Sequence, residues 1–112
     1  MKRITAKFYK LSTDSEPVRE WLRGFSRADR KVIGTDIAAV EYGWPLGLPV
    51  CRPLGKGLYE VRSSLAGKRI ARTIFTIAGG EMVLLHGFIK KTRKTPKADL
   101  DLARSRKADL ND

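Results

Sequence analysis

Apolar and polar residues alternate most clearly between Leu58 and Lys91. There LYEVRSSLAGKRIARTIFTIAGGEMVLLHGFIKK holds three runs rich in apolar and β-branched residues, punctuated by Leu65-Ala66-Gly67 and Ala78-Gly79-Gly80. The pattern predicts three consecutive strands in an antiparallel meander. Upstream, Ile4, Ala6 and Phe8 fall on one side of a weaker alternation from Lys2 to Tyr9, an opening strand. Val18, Trp21, Leu22 and Phe25 then follow the i, i+3, i+4, i+7 spacing of an amphipathic helix, begun by Pro17 and ended or bent near Gly24. Ser26 is the expected cap of a second helix with Val32, Ile33, Ile37 and Val40 as its buried stripe.

Between Gly43 and Pro49 two glycines and two prolines break regular structure, with Trp44 expected as a core plug beneath the loop. A short strand from Val50 to Leu54 follows, and Pro53 marks it as an edge. Thr95 and Pro96 suit the cap and first position of a closing helix running to about Leu110. Its large apolar residues are chiefly Leu100, Leu102 and Leu110, so it is expected to pack loosely, to be mobile or to be held by a partner. The order β, α, α, four strands, α gives a single α+β domain over residues 1–112. Its antiparallel-rich sheet carries the helical hairpin on one face, leaves the other partly open, and is followed by a C-terminal helix.

Charge changes this picture more than composition does. The 112 residues hold 23 Lys and Arg against 12 Asp and Glu, a net charge of +11, and the excess lies in the second half of the chain. A field of that sign attracts polyanions, with nucleic acid or a ribonucleoprotein the expected partner. One cysteine and one histidine supply neither an internal disulfide nor a structural zinc site, and no cofactor is expected. The start MKRITAKFYK lacks the apolar region of a signal peptide, and no run reaches the roughly 20 apolar residues of a membrane span. The expectation is a cytoplasmic protein.

Candidate chemistry sits on the meander. Leu58, Glu60, Arg62 and Ser64 share one face of the first strand, and Ile70, Arg72, Ile74 and Thr76 one face of the second. Pairing through the intervening turn would bring Arg62 and Arg72 to one open face, where arginine forks suit phosphate. The same residues read equally as a structural set, with Arg62 paired to Glu60 or another acid and Arg72 laid along the surface. His86 is either a general base near neutrality or, within so apolar a strand, a hydrogen-bonded structural residue. Cys51 reads as packing.

The runs L-Y-E-V-R (58–62), I-A-R-T-I-F (70–75) and V-L-L-H-G-F-I-K-K-T-R-K-T-P (83–96), followed by a closing helix, resemble the RelE/HigB-type toxins of bacterial toxin–antitoxin modules, above all the phage-derived HigB-like branch. The resemblance implies a ribosome-dependent endoribonuclease that cuts mRNA without a metal. A small helix-turn-helix antitoxin would neutralise it in a hetero-oligomer. It implies Arg72 at the scissile phosphate, Arg62 as the neighbouring basic residue, and Lys90 and Lys91 in the basic cluster after the last strand. Glu60, His86, Arg93 and Lys94 would contact the substrate. Glu60 departs from the Lys-rich strand of such toxins, and no aromatic stands in the closing helix where some of them place a catalytic tyrosine. Two other functions fit the same residues: poisoning of DNA gyrase in the manner of ParE, and RNA or ribosome binding without chemistry.

Overall fold

In the computed structural model, the described residues are 1–45, 47, 49–90 and 94–110, with only the backbone described at Lys90. The strands are β1 (Thr5–Phe8), β2 (Cys51–Gly55), β3 (Leu58–Leu65), β4 (Arg69–Ala78) and β5 (Glu81–Lys90). The helices are α1 (Pro17–Arg23), α2 (Arg27–Gly43) and α3 (Lys97–Asp109). The strands form one mixed sheet in the order β1-β5-β4-β3-β2, in which β1 runs parallel to β5 and every other pair is antiparallel. Gly79 and Gly80 both take positive φ to make the tight β4/β5 turn.

The helical hairpin covers one face. Val18, Ile33, Ile37 and Val40 pack against Val61, Ala71, Phe75, Met82 and Leu84, as the helical and strand periods require. Ser26 caps α2 by accepting the Asp29 N–H at 3.1 Å. The Asp29 carboxylate does not close a capping box; it accepts from Arg69 Nη2 at 2.8 Å and ties the helix start to β4. Val32, expected in the buried stripe, is 37% exposed, because Ile33, Ile37 and Val40 alone fill the space over the sheet. Trp44 plugs the core beneath its loop, edge-on to Tyr59 at 4.9 Å and to Phe75 at 5.7 Å. The Glu41 side chain, on the last turn of α2, accepts the Ala6 N–H at 2.7 Å, while its carbonyl accepts those of Arg3 and Ile4.

On the opposite face Leu58, Ile74, Val83, Leu85 and Tyr9 form a second cluster closed by Ala103 of α3. The expectation of a loosely packed closing helix is therefore corrected. A small residue, wholly buried Ala103, lets the helix approach the sheet, while Leu102 and Leu110 stay exposed at 39% and 36%. Polar contacts fix it further: Tyr9 Oη donates to Asp109 Oδ2 at 2.6 Å, and Arg106 Nη1 to the Leu85 carbonyl at 2.8 Å. Pro96, rather than Thr95, stands at the N-cap position of α3, with no side-chain cap. Among the described residues no helix is long and apolar enough to cross a membrane.

Cys51, in β2 beside Val61 of β3, lies 1% exposed, and burial first and the Glu60 charge second push its thiol up from 9.0 to about 11. In the unfolded chain the thiol ionises at its ordinary value, while the folded protein keeps the proton to higher pH. Stability from this group is constant below pH 9.0 and falls between there and about 11. Urea midpoints measured across that window are expected to drop more steeply for the wild type than for Cys51→Ala; parallel curves would contradict it.

Candidate functional site

Strand register decides which residues meet. Arg62 pairs directly with Arg72, and Arg72 with Phe88, so the three stand in one row on the α3 side of the sheet. A second row runs Arg52, Glu60, Ile74, His86. His86 and Phe88 reach this face because the β4/β5 register shifts between Ile74 and Phe75. The shift leaves Leu84 under the helical hairpin and turns the rest of β5 over. The helix α3 covers the Leu58 end, and the Arg62 end is left clear of it.

Glu60 is the centre of the cluster. Its side chain is 0% exposed; Oε1 accepts from Arg72 Nη1 and from Arg52 Nη2, the latter at 2.7 Å. Oε2 accepts from Thr95 Oγ1 at 3.2 Å, and Thr95 Oγ1 itself accepts from Arg52 Nη2 at 3.3 Å. This corrects the expectation of Glu60 as a substrate contact: a carboxylate sealed from solvent and shared by two arginines positions them instead. Arg72, 3% exposed, has its guanidinium pKa lowered by burial, an effect that the Glu60 charge and hydrogen bond oppose. Arg62 and Arg52 add repulsion. Two guanidinium groups share the one Glu60 carboxylate and Arg62 stands beside Arg72, so positive charge is in excess on this row, a composition that suits an anion.

Arg62 is half-buried and makes no ion pair among the described residues. It lines an open pocket of about 310 Å³ with Val32, Asp36, Pro49, Val50 and Ser64. Of the other expected site residues, His86 Nε2 lies 2.6 Å from Asp99 Oδ1 of α3, and its ring stacks on Phe88 at 5.5 Å. His86 is thus hydrogen-bonded, at the rim of the cluster. Lys94 is exposed. Lys91, Arg93 and the Lys90 side chain lie outside the described residues; the Lys90 backbone pairs with Ile70.

Sequence reasoning missed Arg52 and Thr95. Arg52 stands in a strand interrupted by Pro53, whose register with β3 no periodicity reveals, and Thr95 resembles a helix cap in a T-P pair. The cluster as built can bind and polarise a phosphodiester. It offers fixed guanidinium donors beside a half-buried aromatic, Phe88, on which a base can stack.

Among curated proteins no sequence matches the chain. A family model does match, and it spans residues 20–108, from the middle of α1 through the cluster to the last turn of α3. On that coverage the chain belongs to the phage-derived Gp49-like protein family, DUF891.

Proposed function

We propose that the chain is the toxin of a type II toxin–antitoxin module and acts as a ribosome-dependent mRNA endoribonuclease. Membership of the phage-derived Gp49-like family is compatible with a toxin-like role. The observation that carries the chemical part of the reading is the arginine cluster around buried Glu60, open to solvent on the Arg62 side.

In the proposed reaction the 2′-hydroxyl of the substrate attacks the adjacent phosphorus and the bond to the 5′-oxygen breaks. A 2′,3′-cyclic phosphate and a 5′-hydroxyl result, with one proton leaving the attacking oxygen and one reaching the leaving oxygen. The nucleophile belongs to the substrate, so the protein's part is to hold the phosphate in line and to stabilise the charge that grows on its oxygens. Arg62 does this by charge-assisted hydrogen bonds that strengthen as the phosphorane forms, while buried Arg72, its neighbour across the strands, adds its positive charge from within the sheet. A basic surface of this kind also suits docking on the ribosome, and a helix-turn-helix antitoxin is the proposed neutralising partner.

Arg62→Ala is the cleanest test, since the side chain is half-buried, makes no ion pair among the described residues, and is not part of the Glu60 network. Cleavage is expected to fall by about tenfold to a hundredfold, the worth of one or two charged hydrogen bonds. Transcript 5′ ends mapped after induction in cells lacking the antitoxin provide the measurement. In-frame cuts confined to translated regions, strong in the wild type and weak in Arg62→Ala, are expected. Growth arrest with intact transcripts would overturn the nuclease reading, and a DNA-damage response would replace it with gyrase poisoning.

A further inference from the structure

We infer that Arg52 is a phosphate-contacting residue of this face besides Arg62, taking the phosphodiester of single-stranded RNA, and that Glu60 and Thr95 are the positioning groups that hold it. The inference rests on the nuclease reading for its substrate class, and its geometry stands apart from that reading. Arg52 enters from the edge strand β2, opposite Glu60 and diagonal to Arg62. Diagonal neighbours across a strand pair lie about 7–8 Å apart, within the span two arginine side chains bridge through one phosphate.

An edge-strand arginine would ordinarily sweep through solvent and lose rotamer entropy on binding an anion. Here one edge of the guanidinium is already fixed, Nη2 by Glu60 at 2.7 Å and by Thr95 at 3.3 Å. Its side chain nevertheless remains 32% exposed, so the fixed residue is not sealed from solvent. Its Nε is buried without a partner among the described residues, as is that of Arg72 beside it. A single carboxylate balances only one of the two guanidinium charges, and a phosphate at the solvent-facing part of Arg52 supplies the missing negative charge.

The test is the binding of a single-stranded RNA oligonucleotide, 2′-O-methylated so that it cannot be cut, followed by fluorescence anisotropy at several salt concentrations. Arg52→Ala is expected to weaken binding about tenfold and to reduce the log–log salt slope by about 0.7, the value of one lost phosphate contact on a single strand. Arg52→Lys, which folds with the same charge, should keep the slope while losing about threefold in affinity, because an ammonium does not reproduce the fork. Thr95→Val should likewise leave the slope unchanged and weaken binding about threefold, by releasing the guanidinium rather than removing it. Arg19→Ala, the same charge deleted from α1, is the control and should change neither quantity. Wild-type affinity and slope in Arg52→Ala, or an equal loss in Arg19→Ala, would overturn the assignment. Failure of the nuclease reading is distinguishable: the wild type would then bind the oligonucleotide with the Arg52-dependent slope and cut no transcript.

Discussion

Glu60→Ala is expected to destabilise the protein by about 3–5 kcal/mol and to lower its melting temperature by at least about 10 °C. The loss arises at Arg72 more than at Arg52. Arg52 is partly exposed and can turn its guanidinium to water, whereas Arg72, 3% exposed between β3 and β5, would keep a buried charge with no counterion. Glu60→Gln retains an acceptor for Arg72 and should lose less. Replacing both Glu60 and Arg72 by leucine should recover most of the stability, because a matched apolar pair avoids desolvating either charge. Thermal melts followed by circular dichroism separate these cases. A melting temperature for Glu60→Ala within a few degrees of the wild type would mean that water reaches Arg72.

The second large effect is expected at Gly87. A β-carbon there would stand 2.2–2.6 Å from three ring carbons of Trp21, far inside contact distance. The indole cannot swing aside freely, since Phe25 packs edge-on against it at 5.0 Å. Alanine in a strand is ordinarily favoured over glycine by about 0.5–1 kcal/mol, but here the forced movement of α1 dominates. Gly87→Val is accordingly expected to destabilise by about 3 kcal/mol, at the upper end for overpacking. The diagnostic experiment is a double-mutant cycle in urea. Trp21→Ala costs about 3–5 kcal/mol through the cavity it opens, and adding Gly87→Val to that background should then cost little or nothing. Additive losses would show that the valine clashes with something else.

These residues also show how far the chain could be read before its structure. Both helices of the hairpin and the three strands of the meander follow from runs whose period is unambiguous, and each spans close to its expected limits. Register was not legible. The pairing of Arg62 with Arg72 was one of several possibilities that a single-residue slip would have destroyed, and the shift near Leu85 reverses the face on which strict alternation from Leu84 would put His86 and Phe88. The parallel partnership of β1 with β5 joins residues at opposite ends of the chain, which no local pattern records. Glu60 was misjudged for a related reason. A lone acid in a strand looks like a solvent-facing or substrate-facing group until the arginines from two neighbouring strands are seen to enclose it. Thr95 was claimed by a local rule, the Thr-Pro helix start, while its hydroxyl serves a contact across the sheet.

The contact of Glu41 with Ala6 bears on how other molecules attach. A sheet normally ends in a row of unspent backbone donors on which another chain can lay a further strand. Within β1 the N–H of Ala6, and just before it that of Ile4, are already consumed by the carboxylate and the carbonyl of one α2 residue. At the opposite border β2 is five residues long, contains Pro53 and loses register before Gly55. Among the described residues neither margin offers a continuous template, an arrangement that disfavours lengthening of the sheet by another strand and edge-to-edge stacking into aggregates.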